Sequence, residues 1–397
     1  MPDRNLDEKI DGRAPAFLGQ VPPTESLDTC HLVGRPRQPA AASMPRPLQF
    51  EVGLDGGSLE LSPLPEEAAP ACASLECFGG LVRNRASAAA TVVLAMTNAG
   101  FAPFWHNLRC SLERVNVSQH AIVIGTDAAA CEAASSGSVP CVVGDQVLWN
   151  QDASDANAGR GGGSSALSQE AEKHGTVAYA RLMHIKAMPA LAVLRMGYNL
   201  LFTDTDMVWL RNPLDRLRAT YGAALDRGEL DVLIQSDYDE SNDARCEAHE
   251  HCARSAWCDR ASGRCEDEAC GGFYYLRSAP PAIALLEALF ERMAWQRKNV
   301  DARIGEQPAL NYVLRRTRGL RYVVLPREQY PNGQSYFVQR PPSSKRRKER
   351  PVIVHNNWIA GFEAKRERFE SHGLWFLGAG GACMAAAIPP AQRLGRR

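Results

Sequence analysis

The sequence lacks a long hydrophobic run. Nowhere is an apolar stretch long enough to span a bilayer, and Met1 to Gln20 is polar and charged, without an apolar segment of signal-peptide length. No membrane span is therefore expected in this chain. It also lacks an excess of either charge. Lys plus Arg and Asp plus Glu both number 45, so the formal net charge is zero and no overall field draws the protein to nucleic acid or to an anionic membrane. Partners must be recognised by local sites, and nucleic acid is not expected among them. Internal repeats and heptads are missing too, which excludes a solenoid or a coiled coil. What is there, 397 residues of which 45% are hydrophobic, suffices for one large α/β domain or two smaller ones with a sizeable core.

Cysteine is not scarce. Five of the 12, Cys246, Cys252, Cys258, Cys265 and Cys270, crowd one Gly- and charge-rich segment. That density favours disulfides and an oxidising compartment. Zinc is the rival reading, since His249 and His251 lie among them, but there is no Cys-x-x-Cys hook. Asn116-Val117-Ser118 is an N-glycosylation sequon and fits a secretory location. The polar amino terminus points the other way: either the sequence starts downstream of a membrane anchor, or the protein is cytosolic and its thiols are reduced.

Residues 1–85, rich in Pro, Ala and acidic residues, read as an irregular lead-in or stem. From Thr91 the pattern changes. Thr91 to Thr97 is a short apolar run bounded by Asn98-Ala99-Gly100, as for a buried parallel strand ending in a ligand-facing loop. A helix over Trp105 to Arg114 and a second buried strand at Ala121 to Gly125 complete a β-α-β unit. Further strands are expected at Asn199 to Thr203, Asp231 to Gln235, Gly272 to Leu276, Tyr322 to Leu325 and Val352 to Val354. Helical spacing covers Ala178 to Arg195, ended by Gly197, and Pro281 to Arg297. A turn is expected at Asn212-Pro213. The main domain is placed at 86–378, with the Cys-rich insertion at 238–270 and a tail at 379–397.

In an open α/β sheet, ligands gather at the carboxyl ends of the strands. Asp204-Thr205-Asp206 sits at such an end, between an apolar strand and Met207-Val208-Trp209-Leu210, where uncompensated charge is costly. Two carboxylates one residue apart can reach one hard divalent cation, which grips a diphosphate that neither would bind unaided. Asn98 and Asp127, after the first two strands, stand where a nucleotide base and ribose would lie, or else simply form strand-end turns. Arg181 and Lys186 on the preceding helix are candidates for phosphate or nucleotide contact, or for a solvated helix face.

The segment Gly197-Tyr198-Asn199-Leu200-Leu201-Phe202-Thr203-Asp204-Thr205-Asp206-Met207-Val208-Trp209-Leu210-Arg211-Asn212-Pro213 resembles the Asp-x-Asp signature of the nucleotide-diphospho-sugar transferases of glycosyltransferase family 77. Gly271-Gly272-Phe273-Tyr274-Tyr275-Leu276-Arg277-Ser278 is similar to that family's acceptor-side strand, with Gly272 facing the donor. Glu306-Gln307-Pro308-Ala309-Leu310-Asn311 resembles its Asp-Gln-x-x-x-Asn element. His355-Asn356-Asn357-Trp358-Ile359-Ala360-Gly361, with Lys365 and Gly373-Leu374-Trp375, resembles its closing motif. The likeness runs from about Thr91 to Trp375 in the family's order.

That resemblance implies an α/β GT-A-like fold, a Rossmann-type mixed sheet flanked by helices, here with a disulfide-rich insertion. It implies retaining transfer of a sugar from a nucleotide-diphospho-sugar, a UDP-sugar first of all, to a glycan or glycoprotein with Mn²⁺ or Mg²⁺. It implies His355 as a third metal ligand beside Asp204 and Asp206, and Lys365 near the diphosphate. A Golgi lumen or secretory location goes with it, the cytoplasm being the alternative. For the face of the sugar opposite the leaving group, Glu306 and Gln307 are the first candidates and Asp237 the second. Glu306 stands where the family commonly has Asp. The rival functions are an inactive sugar-binding protein of the same fold and a nucleotide-sugar hydrolase.

Overall fold

Short apolar runs between turn residues form strands here because both faces of the sheet are covered. The structure, a computed structural model, describes residues 71–135, 139–147, 182, 183, 185–237, 258, 259, 264, 265, 268–301, 305–339 and 350–384. Strand β1 (Thr91–Thr97) is buried at every position. Its alternate side chains enter two separate cores, Val92, Leu94 and Met96 one of them and Val93 and Ala95 the other. The same division holds for β2 (Ala121–Gly125) and β4 (Asn199–Thr203).

With β3 (Cys141–Val143), β6 (Val232–Ser236), β9 (Ala269–Leu276) and β10 (Tyr322–Leu325), these make a seven-stranded sheet in the order β10-β6-β9-β4-β1-β2-β3. All neighbours are parallel except β9, which runs antiparallel to both β4 and β6. This is the mixed, helix-flanked α/β sheet that the family resemblance implied. Helices α1 (Leu75–Arg85), α2 (Ala102–Arg114), α3 (Ala128–Ala134), α4 (Met188–Arg195), α5 (Pro213–Asp226), α6 (Pro280–Asn299), α7 (Glu306–Leu314) and α8 (Phe362–Ser371) surround it.

Three differences from the sequence reading have plain physical causes. Residues 75–85 are helical rather than irregular: Ser74 caps the helix by accepting from the Cys77 N–H, and Phe78 and Val82, one turn apart, are fully buried. Asn212-Pro213 starts a helix instead of making only a turn, because Asn212 accepts from the N–H groups of Leu214 and Asp215 and Pro213 takes the first helical position. Residues 379–384 are not a detached tail, since Cys383 is bonded to Cys110 of α2 and Met384 N donates to Phe376 O.

Two further disulfides join Cys72 to Cys77 and Cys131 of α3 to Cys141 of β3. Of the Cys-rich insertion, Cys246 and Cys252 lie outside the described residues. Cys258 and Cys265 sit opposite each other on the short antiparallel strands β7 (Cys258–Asp259) and β8 (Arg264–Cys265). Cys270 is a correction: it is a buried free thiol on β9, belonging to the sheet and not to a disulfide knot.

At the end of the sheet away from the site, fully buried Asp231 ties three strands together. It pairs with Arg277 after β9 and accepts from Arg321 Nε (3.2 Å) and from the Arg321 N–H (3.0 Å) before β10. Asp231→Ala is expected to cost about 2–3 kcal/mol, because charge-assisted bonds to a buried carboxylate are lost while both arginines can still reach water. Urea unfolding should show a lower midpoint with an unchanged m-value.

Candidate active site

A small antiparallel pair, β5 (Met207–Trp209) with β11 (Ile353–His355), builds the site. The chain leaves β4 at Thr203, turns through Asp204, Thr205 and Asp206, and enters β5. His355 pairs with Met207, and the Asn356 N–H donates to Asp206 O at 2.9 Å. Residues about 150 apart in sequence are thus set side by side. His355 Nε2 lies 3.4 Å from Asp206 Oδ1 and 3.9 Å from Asp204 Oδ2, and one ligand atom from each residue falls within 4.8 Å of the others.

Each aspartate divides its two oxygens. Asp204 gives Oδ1 to Lys186 Nζ at 2.7 Å, and Asp206 gives Oδ2 to Lys365 Nζ at 2.5 Å; the other oxygens face the histidine. Burial alone would raise the Asp206 carboxyl, but Lys365 and His355 overcome it and hold it well below the usual carboxylate range. Lys186, buried over the Phe202 ring, also pairs with Glu306 Oε1 at 2.7 Å. Burial would discharge this ammonium; Asp204 and Glu306 more than offset that and raise it well above its ordinary value. For Glu306 burial wins over the attraction of Lys186, and the carboxyl is pushed up to about 7. Its Oε2 is buried with no hydrogen-bond partner among the described residues.

Gln235, fully buried on β6, had no signal in the sequence. Its Nε2 donates to the carbonyls of Tyr330 (3.1 Å) and Pro331 (3.0 Å), so its Oε1 must be the atom facing His355 Nδ1 at 3.0 Å. An amide oxygen can only accept. Nδ1 therefore carries a proton, and Nε2, on the side of the two aspartates, is the ring nitrogen left to ligate a metal. Cys270 Sγ stands 3.5 Å from the same Nδ1, its thiol pushed well up by burial.

The third wall comes from a bulge. The β6/β9 register jumps from Ile234↔Tyr274 to Gln235↔Cys270, which takes Gly271, Gly272 and Phe273 out of that ladder, while Phe273 stays paired with Thr203 of β4 and Gly272 O accepts from Asp204 N–H at 2.7 Å. Asn311 of α7 holds the start of β9, accepting from Ala269 N–H and donating to Ala269 O. A Cβ at Gly272 would lie 2.4 Å from His355 Cε1 and 2.8 Å from Asp204 Oδ2. Gly272→Ala is expected to displace one of these ligands and lower activity by about 10²-fold, as sub-ångström errors in such sites do; a Mn²⁺ titration should show correspondingly weaker binding.

Asp237, just beyond β6, collects three N–H donors: Asn357 Nδ2 (2.7 Å) and Trp358 Nε1 (2.9 Å) on Oδ1, and Gln307 Nε2 (2.8 Å) on Oδ2. Gln307 also reaches Glu268 Oε1 at 3.2 Å. Glu268, unnoticed in the sequence, is raised to about 7 by burial, with Asp237 adding to it against the hydrogen bond from Gln307.

Lys186, Asp204, Asp206, Asp237, Glu268, Cys270, Gly271, Gly272, Glu306, Gln307, His355, Asn357, Trp358 and Lys365 line one open cavity of about 820 Å³ together with Asn98 and Phe101, while Gln235 and Asn311 support it from behind the wall. Of the residues singled out in the sequence, Asn98, Lys186, Asp204, Asp206, Asp237, Gly272, Glu306, Gln307, His355 and Lys365 are brought to this one cavity. Asp127 is not: it lies off the cavity wall, where its carboxylate caps α3 by accepting from Ala130 N–H at 2.8 Å. Arg181 lies outside the described residues.

The family model described as nucleotide-diphospho-sugar transferase matches residues 116–369, well over half of the chain. The chain belongs to the nucleotide-diphospho-sugar transferase family. It is 25% identical over 228 residues to UDP-galactose:fucoside alpha-3-galactosyltransferase of Dictyostelium discoideum, covering 53% of this chain and 30% of that protein. It is 29% identical over 212 residues to UDP-D-xylose:L-fucose alpha-1,3-D-xylosyltransferase 3 of Arabidopsis thaliana, covering 53% of this chain and 51% of that protein. The chain thus spans 30% to 51% of the length of these two curated relatives. The apo crystal structure of mouse xyloside xylosyltransferase 1 aligns with a TM-score of 0.40 at 14% identity, over 68% of this chain and 98% of that one.

Proposed function

We propose that this chain is a metal-dependent, retaining glycosyltransferase that moves a sugar from a UDP-sugar to a glycan or glycoprotein acceptor. The observation that carries the reading is the Asp204, Asp206 and His355 trio, with one lysine on each aspartate, at the centre of the sheet's ligand end. Two carboxylates and an imidazole presenting Nε2 are a donor set suited to Mn²⁺ or Mg²⁺. Bound there, the ion would supply charge neutralisation to the departing diphosphate.

The strand order gives the site a direction. From β1 through β4 and β9 to β6, the strand ends carry Asn98, Asp204, the Gly271–Gly272 bulge and Asp237 in turn. At about 4.8 Å between strands, that row is about 14 Å long. A nucleoside diphospho-sugar laid along it puts base and ribose by Asn98, the diphosphate by the aspartates and Lys365, and the sugar toward Asp237 and Gln307. Lys365, now paired with Asp206, would offset charge on the leaving diphosphate. Glu306, spent on Lys186 and nearly buried, sets the charge of that lysine, while Gln307 and Asp237 face the sugar. The names of the two relatives support a UDP-sugar donor and make a fucose-bearing glycan the first acceptor to try. Three disulfides support an oxidising, secretory compartment such as the Golgi lumen. No helix among the described residues is long and apolar enough to cross a membrane.

The test is Mn²⁺-dependent release of nucleoside diphosphate from a panel of UDP- and GDP-sugars, with and without methyl fucoside, and product analysis for transfer against hydrolysis. No release from any donor would move the reading to a sugar-binding protein of the same fold.

A further inference from the structure

Trp358 is an unusual residue for its place. It lines the cavity yet keeps 47% of its surface open to solvent, and its backbone lies in the left-handed region at φ 57°, where a bulky side chain is rarely found. Strain of that kind persists only where the surroundings hold it. Here the hold is specific: Trp358 Nε1 donates to Asp237 Oδ1, and the neighbouring Asn357 Nδ2 donates to the same oxygen. One edge of the indole is fixed while the ring stays open to the cavity. The role of Asp237 is equally definite. A carboxylate offers about four acceptor sites; Asn357, Trp358 and Gln307 occupy three, leaving one for a hydroxyl from the cavity.

An exposed aromatic ring tied beside a partly free carboxylate has the chemistry of a sugar platform, the ring taking C–H groups and the carboxylate a hydroxyl. A uracil base could also stack on indole. The strand order argues against it, because Asp237 follows β6, three strands from Asn98 at the end of β1 and beyond the metal trio.

Resting on the glycosyltransferase reading, we infer that Trp358 is the stacking platform of the acceptor subsite and takes a pyranose with a continuous C–H face, such as a 6-deoxy sugar. Asp237 takes one of its hydroxyls.

The probe is methyl α-L-fucopyranoside, followed by saturation-transfer NMR and titration on the full chain with UDP and Mn²⁺ present. The expected result is strongest saturation on the ring C–H and methyl protons. Affinity should fall about tenfold or more in Trp358→Ala and less in Trp358→Phe, which keeps a ring but no N–H. UDP affinity should stay within about twofold in both variants, which also shows that they fold. Unaltered fucoside binding in Trp358→Ala overturns the inference, as does a selective loss of UDP affinity, which would assign the indole to the base. Normal UDP binding by the wild type with no fucoside binding at tens of millimolar overturns it too, and leaves the donor site standing. Failure of UDP and Mn²⁺ to bind the wild type would instead sink the glycosyltransferase reading itself.

Discussion

Asp206→Asn is expected to lower metal-dependent transfer, with kcat/KM falling by a factor on the order of 10³, because the cation that would stabilise the leaving diphosphate is no longer held. The substitution keeps the shape of the side chain, so its effect is electrostatic. In the wild type Lys365 and His355 hold this carboxyl ionised in spite of its burial, and its two oxygens serve different partners. Asparagine retains an oxygen for one of them and loses the charge that makes the trio a cation site. Binding gives a readout independent of turnover. Mn²⁺ with UDP at about 100 times Kd stabilises a folded protein by about 2.7 kcal/mol; that thermal shift should be present in the wild type and absent in Asp206→Asn. Asp204→Asn should lose it too, and should in addition leave Lys186 with Glu306 as its one carboxylate partner among the described residues. A variant that keeps both the Mn²⁺ shift and the activity would mean that the trio is not the metal site, and the proposed function would fall with it.

Much of this site was legible in the sequence, for a reason that also marks where legibility stopped. Strands β1, β2 and β4 stand out as apolar runs because the sheet is buried on both faces, and Asp204 and Asp206 lie one residue apart at a strand end, so a local pattern carries them. His355 was reachable only through family resemblance. What joins it to Asp206 is the β5/β11 pairing, a contact across about 150 residues that no local periodicity encodes. The same holds for Lys186 with Glu306, about 120 residues apart, and for Glu268 with Gln307. Asp127 failed in the opposite direction. Its position after β2 suited a ribose contact, but an Asp before Ala128–Ala134 also suits a helix cap, and capping won. Cys270 was misgrouped because proximity in sequence to four other cysteines outweighed its place at the start of an apolar strand.

The residue least visible in the sequence is expected to have the second largest effect. Gln235→Leu should weaken Mn²⁺ binding by about 10–100-fold, the range found when the partner of a metal-ligating histidine is removed. The wild-type amide cannot turn over, because its oxygen would then face the carbonyl oxygens of Tyr330 and Pro331. With leucine in its place the imidazole loses the acceptor that keeps the proton on Nδ1, and Nε2 can take the proton and donate it to Asp206 at 3.4 Å. That tautomer cannot bind a metal. ¹⁵N-edited spectra of metal-free protein should show His355 protonated at Nδ1 in the wild type and shifted toward Nε2 in the variant, a change that mere loss of packing would not produce. Stability should fall as well, by about 1–3 kcal/mol for the Tyr330 carbonyl left without its donor, since Pro331 O still accepts from the His355 N–H at 3.2 Å. Gln235→Glu separates the two roles: its carboxylate still accepts from Nδ1, so the tautomer should be restored, but it now faces two carbonyl oxygens, so the stability loss should remain. Cys270 is the competing partner of Nδ1. Were the thiol the true anchor, Cys270→Ala would weaken Mn²⁺ binding more than Gln235→Leu; the shorter contact and the fixed amide make the reverse order the expected one.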